Sequence, residues 1–256
     1  MDFFDVYLLH WLNGKHYEIA EKYREFEFLE ELKKTGKAIK TGFSYHDSAD
    51  LLDEILTRHP EVDYVQLQIN YLDWEDTNVQ ARLCYETAVR HGKQVIVMEP
   101  IKGGSLTQLP PQAAELLENF RPGVSPAVWA LLFAASLEHV KVVLSGMSTP
   151  EQLKENTAAV ADQPPLTSEE REALLQVAEV LRAQIAIPCT ACRYCVEDCP
   201  KKIAIPEYFS LYNSLYRFGA NQAGNVGAYY RNLIQKYGKP DECIGCGKCE
   251  RHCPQH

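Results

Sequence analysis

Eight of the nine cysteines fall into two runs with one spacing. Cys189, Cys192, Cys195 and Cys199 precede Pro200, and Cys243, Cys246, Cys249 and Cys253 precede Pro254. Both runs read C-x2-C-x2-C-x3-C-P, the bacterial spacing that ligates [4Fe–4S] clusters. Three closely spaced thiolates wrap one cubane, and the fourth, before proline, reaches across to the other cluster. The spacing therefore assigns Cys189, Cys192, Cys195 and Cys253 to cluster 1. It assigns Cys243, Cys246, Cys249 and Cys199 to cluster 2. Such a pair would move single electrons. Two runs of four thiolates would also suffice for two tetrahedral zincs, although zinc favours C-x2-4-C pairs parted by a longer loop. A disulfide framework belongs to an oxidising compartment, and nothing in the sequence signals secretion. The ninth cysteine, Cys84, lies in a helical run far from both groups and reads as a small core residue.

The elements that must position this chemistry alternate two periods. Short, near-continuously apolar runs at 5–9, 38–43, 64–69, 94–98 and 140–144 are expected strands. Apolar runs of that kind suit strands covered on both faces. Between them lie expected helices at 17–34, 48–58, 76–91 and 125–136, and another follows at 167–185. Strand–helix alternation signals a parallel sheet of βαβ units. Gly36 and Gly92 are expected C-caps, and Ser148 with Glu151 is an expected capping box ahead of a helix begun by Pro150. Pro188 opens the cysteine region. Between its two runs, helices are expected at 207–218 and 227–237, punctuated by Gly219, Gly224 and Gly227. Their tyrosines and leucines are expected to pack round the clusters, with a docking surface as the sharper alternative.

Composition narrows the function classes. The chain has 256 residues, 46% of them hydrophobic, enough to bury a sizeable core. A net charge of −9 without a basic stripe argues against nucleic acid as a partner. The apolar runs are short and interrupted, so no membrane span is expected. The first residues lack a basic segment and a small-residue cleavage site, so no signal peptide is expected. Thiolates that must stay reduced fit a cytoplasmic setting.

The segment Asp5-x-Tyr7-Leu8-Leu9-His10-Trp11 resembles the fourth barrel strand of the aldo/keto reductases. Thr41-Gly42-Phe43-Ser44 is similar to the fifth strand, and Gln66 lies where the sixth carries a glutamine. The stretch 95–100 with Gly103 and Gly104 is similar to the seventh strand and its loop. The stretch 145–156, from Ser145-Gly146 to Glu155-Asn156, is similar to the eighth strand and the helix after it. With the linked cysteine runs, the chain resembles the aldo/keto reductases that carry a C-terminal dicluster ferredoxin-like domain.

The resemblance implies a (β/α)8 TIM barrel, of which this chain would hold the last five βα units over 1–186. A small α-rich ferredoxin-like domain with two [4Fe–4S] clusters would follow over 187–256. It implies nicotinamide-linked carbonyl/alcohol chemistry at the C-terminal ends of the strands. Of the family's catalytic tetrad, His10 matches and would orient the substrate. Ser44 matches the residue that holds the carboxamide, and Gln66 shares that role. Gly146, Ser148, Gln152 and Asn156 lie along the phosphate site at the start of the following helix. Many family members place Lys and Arg at the positions of Gly146 and Gln152 to hold the 2′-phosphate, so the cofactor is NADPH or NADH. Tyr45 stands where an asparagine is expected and reads as a packing residue. Met98 stands where an aromatic residue would stack on the nicotinamide.

Met1 falls where the family has the link into strand four. The resemblance therefore implies three further strand–helix units ahead of it, carrying the tetrad's tyrosine, lysine and aspartate, and an N-terminally truncated chain. The reading is an iron–sulfur oxidoreductase of aldo/keto reductase type with a small-molecule carbonyl or alcohol substrate and a redox protein as a further partner. The alternative is an electron-transfer, ferredoxin-like module on a catalytically incomplete barrel.

Overall fold

The computed structural model describes residues 3–183, 186–187, 189 and 191–253, with the side chains of 220 and 221 left aside. The chain divides into two compact units, Met1–Glu179 and Val180–His256.

The first unit is a five-stranded sheet in the order β1 (Phe4–Leu12), β2 (Ala38–Tyr45), β3 (Tyr64–Gln68), β4 (Gln94–Met98) and β5 (Val140–Val143). Every neighbouring pair is parallel. Strand order equals chain order, so each connection crosses over one face, as in consecutive units of a (β/α)8 barrel. The register sets Ser44 beside Gln66, Gln66 beside Ile96 and Ile96 beside Val142. One layer of the sheet is thus polar on β2 and β3 and apolar on β4 and β5.

Helices α3 (Ala49–Arg58), α4 (Ala81–Arg90) and α6 (Pro126–Ala135) follow β2, β3 and β4, with the shorter α5 (Pro111–Glu118) ahead of α6. Phe43, Val65, Val95 and Val97 of the strands and Leu52, Ile55, Ala88, Trp129 and Phe133 of the helices are fully buried. Helix α6 is apolar all round, as a helix within the core must be. Ser125 caps it by accepting from the Val128 N–H at 3.3 Å. After β5 come α7 (Pro150–Asp162) and α8 (Ser168–Ala183).

The expected helix 17–34 is instead two, α1 (Gly14–Lys22) and α2 (Glu25–Lys34). The break is at Arg24, whose backbone is left-handed at φ +59. It lets Tyr17 and Ala20 on one helix and Phe26 and Leu29 on the other all reach the core. The helix expected from 76 begins at Ala81, because Asp76 Oδ1 accepts from the N–H groups of Asn78 and Val79 and closes a turn there. Gly36 and Gly92 do follow α2 and α4 with φ +70 and +69. A left-handed residue closes a helix most readily when it has no Cβ.

The second unit is helical. It contains α9 (Tyr194–Glu197), α10 (Ile205–Phe218), α11 (Ala223–Lys236) and α12 (Lys248–His252). Asn213, nearly fully buried on α10, accepts from the N–H groups of Ala186 and Ile187 and donates to the Ile187 carbonyl. That clamp fixes the chain two residues before the first cysteine run. No helix among the described residues is long and apolar enough to cross a membrane.

Candidate functional site

The two cysteine runs share a backbone as well as a spacing. Ala191 and Arg193 in the first run have φ +54 and +65, and Gly245 and Gly247 at the same places in the second have φ +65. Alternation of left- and right-handed residues turns successive N–H groups into one concavity, a nest that holds anions such as iron–sulfur clusters. Each run then enters a short helix, α9 or α12, with the third cysteine on it. The two helices pack together, and His252 Nδ1 meets Asp198 Oδ2 at 2.6 Å across them.

Cys199 stands with the second run at one cavity. A cavity of about 230 Å³ is lined by Cys199, Cys243, Cys246 and Cys249 together with Ile203, Tyr208 and Phe209. The Ile203 N–H points at Cys199 Sγ and the Gly245 N–H at Cys243 Sγ, each at 3.5 Å. Among the described residues, no three His, Cys, Asp or Glu side chains stand close enough to share one metal ion. Residues 180–256 hold ten Lys and Arg against six Asp and Glu, an excess that offsets thiolate charge. Burial raises Cys195, and its neighbours Cys189, Cys192 and Cys249 add to the effect. Cys195 thus stands near Cys189 and Cys192 of its own run and near Cys249 of the other. Tyr212 and Tyr216, both exposed on α10, stack on each other.

The first unit has its own concave site where the strands end. A pocket of about 620 Å³ lies past β4 and β5, within the usual range of ~300–1,000 Å³ for small-molecule sites. Its polar lining includes Glu99, Ser145, Gln152, Glu155 and Asn156, with Gly103, Gly104 and Gly146 giving backbone access. Asn156 is buried and donates to Ser145 Oγ at 3.0 Å. Glu99 has a left-handed backbone, φ +57, and a buried Oε2 without a protein partner.

The start of α7 is closed by its own side chains. The capping box is Thr149 with Gln152, one residue later than the expected Ser148 with Glu151. Gln152 Oε1 accepts from the N–H groups of Ser148 and Thr149, at 2.7 and 3.3 Å, and the Gln152 N–H donates to Thr149 Oγ1. Gln152 reaches back over its own first turn, which Glu151 on the next face does not.

At the other end of the sheet, His10 is exposed, one residue before a bulge at Trp11, φ +59. The register between β1 and β2 shifts here. The Trp11 N–H donates to Ser44 Oγ at 2.6 Å, and the Trp11 carbonyl lies 2.7 Å from His16 Nδ1. The Trp11 ring meets His16 and His46 edge-on. Burial, with help from His10, pushes the His46 imidazole down to about 4, so it is neutral at pH 7. Gln66 donates to Met98 Sδ at 3.4 Å. Tyr45 is a core residue whose hydroxyl donates to the Ser48 carbonyl, and burial drives its phenol far above the ordinary range.

The aldo/keto reductase family model matches residues 1–179, and the 4Fe-4S dicluster domain model matches 188–256. The chain belongs to the aldo/keto reductase family. Solved structures agree on the barrel. Aldo-keto reductase AKR11C1 from Bacillus halodurans, in its holo form, is 26% identical with a TM-score of 0.55. The match covers 69% of this chain and 61% of that one. An aldo/keto reductase from Klebsiella pneumoniae, solved with NADP and acetate, shares the fold at 21% identity and TM-score 0.54, covering 69% and 59%. The chain thus spans about six-tenths of the length of each solved reductase. No curated protein matches it.

Within this reductase domain, the pocket gathers Gly146, Gln152 and Asn156 of the expected nucleotide residues. Ser148 is outside its lining and is held by Gln152. Ser44 and Gln66 sit side by side one strand away, and His10 lies beyond Ser44 on β1. Sequence reasoning missed Glu99, Glu155 and a buried cluster of Gln68, Asn70, Asp73 and Lys102 under the β4 loop. The only local signal for that cluster is the pair Gly103–Gly104, which marks an irregular turn without naming its partners.

Proposed function

We propose that this chain works in an iron–sulfur oxidoreductase of aldo/keto reductase type, joining nicotinamide-linked carbonyl/alcohol chemistry on the barrel to electron transfer through two [4Fe–4S] clusters. The observation that carries it is Cys199 lining one cavity with Cys243, Cys246 and Cys249. Thiolates crossing from one run to the other are what paired clusters need. By the same pairing Cys253 completes the set of Cys189, Cys192 and Cys195.

When bound, the clusters supply one-electron steps and the nicotinamide supplies hydride. This chain's residues do the holding. His10, exposed at the strand end, would orient a carbonyl or alcohol. Ser44, which accepts from Trp11, keeps its own O–H free to donate toward a carboxamide, with Gln66 beside it. Asn156 and the glycines of the β4 and β5 loops would line the nucleotide. The expected setting is cytoplasmic, and a redox protein is the expected partner of the tail.

Anaerobic reconstitution with iron and sulfide tests the reading. A broad visible band that bleaches on reduction, with iron for two clusters per chain, is expected. A colourless protein that takes up zinc would end it. Bleaching by a reduced nicotinamide separates the enzyme from a simple electron carrier, which needs no nucleotide.

A further inference from the structure

We propose that Arg193 is a positioning residue for the first cluster. Its guanidinium straps the loop between Cys192 and Cys195 to a platform of Glu207 and Tyr237, and that platform also backs the second cysteine site. The inference rests on the cluster reading above and deepens it with a residue that is not a thiolate.

The first observation is a difference between two runs that otherwise match. Where the second run has Gly247, the first has Arg193, and both are left-handed at φ +65. Glycine adopts that conformation freely, whereas a residue with a Cβ does not. A non-glycine residue persists there when surrounding contacts over-determine it. The Arg193 side chain makes such contacts. Its Nη1 pairs with Glu207 Oε1 in the first turn of α10. Its Nη2 donates to the Tyr237 hydroxyl at 3.5 Å, and its guanidinium carbon lies over the Tyr237 ring, 5.8 Å from the centre. The Glu207 side chain is only 15% exposed. An ion pair with one member out of water is screened less than a surface pair.

The second observation is what the platform touches next. Gly238, beside Tyr237, forms a parallel bridge with Ile203, and its carbonyl accepts from the Tyr208 hydroxyl at 3.1 Å. A Cβ on Gly238 would stand 2.0 Å from the Lys201 carbonyl oxygen, so the two segments are pressed together. Ile203 and Tyr208 line the cavity of Cys199, Cys243, Cys246 and Cys249. The strap therefore fastens the first loop to the wall of the second site, with a side chain that the second run lacks.

Arg193→Gly in the reconstituted protein tests the proposal. The change gives the first run the second run's own residue and relieves the backbone, so the chain is expected to fold. Iron release to a chelator is followed while freed thiols are alkylated and located by peptide mass. The variant is expected to free Cys189, Cys192 and Cys195 about tenfold faster than the unaltered protein. Cys243, Cys246 and Cys249 are expected to be freed at the unaltered rate. Electron paramagnetic resonance of the reduced protein is expected to show changed lines for the first cluster alone. Glu207→Gln is expected to reproduce both effects, and the double variant to add little to either. Unchanged release from the first run, equal acceleration of both runs, or unchanged resonance lines overturn the strap and leave the cluster reading standing. A protein that takes up no iron overturns both.

Discussion

Lys102 Nζ lies 2.6 and 2.9 Å from the two oxygens of Asp73, and both side chains are buried. The pair ties the loop after β4 to the turn after β3. Gln68 and Asn70 donate to the same carboxylate, and Asn70 also donates to the Glu99 carbonyl. The ion pair therefore holds a wall of the pocket. Lys102 itself is left-handed, φ +51, a conformation that persists where surrounding contacts over-determine it.

Removing one partner leaves a buried charge alone. Lys102→Met should destabilise the protein by about 3–5 kcal/mol, seen as a lower midpoint in urea. Changing both, Lys102→Met with Asp73→Leu, should cost clearly less than the two single changes added together. Additive losses would mean that the pair is not coupled.

The pair also sets an acid limit. Burial alone would raise the Asp73 carboxyl, but the charge and hydrogen bonds of Lys102, with Gln68 and Asn70, outweigh it and hold it below the ordinary range. A depressed folded value stabilises above the unfolded pKa of about 3.9 and is lost as pH falls through the folded one. Stability should drop below about pH 4, and Asp73→Asn should flatten that limb of the urea midpoint against pH.

His46 acts at a higher pH. Its folded value of about 4 lies below the unfolded value of about 6.5. The unfolded chain takes up the proton first, so stability is full above pH 6.5 and falls between there and about pH 4. The loss amounts to roughly 3 kcal/mol at most. His46→Gln should remove most of the slope between pH 7 and 5. An unchanged slope would place the titration elsewhere.

Much of this was legible in the sequence, for identifiable reasons. The run 94–98 is a strand over Gln94–Met98 because its Val and Ile are buried by neighbours on both sides. Gly36 and Gly92 mark helix ends because the conformation they adopt is intrinsic to the residue. The cysteine spacing predicted that Cys199 serves the second cluster, and Cys199 lines a cavity with Cys243, Cys246 and Cys249. The helix break at Arg24 was hidden because propensity favours helix throughout 17–34, and only the core demands the kink. The Lys102–Asp73 pair was hidden because 29 residues separate its partners. The capping box slipped by one because Ser148 and Thr149 are both good caps, and the chain path decides between them.

The cross-ligation has a direct test. Cys199→Ser should lose about half of the reconstituted iron and leave the spectrum of the cluster held by Cys189, Cys192 and Cys195. Loss of that cluster instead would mean that each run keeps its own fourth thiolate.

Gly42 sets the spacing between β2 and β3. A Cβ there would stand 2.1 Å from the Tyr64 carbonyl oxygen and 2.8 Å from its carbon, both backbone atoms. Neither can swing aside as a side chain would. Gly42→Ala must therefore push the two strands apart where Gly42 pairs with Tyr64, two residues before Ser44 pairs with Gln66. Overpacking of this kind costs about 1–3 kcal/mol. The variant should lose stability, and it should also weaken binding of any ligand held jointly by Ser44 and Gln66. A loss of stability with unchanged nucleotide affinity would show that those two side chains do not act together on the cofactor.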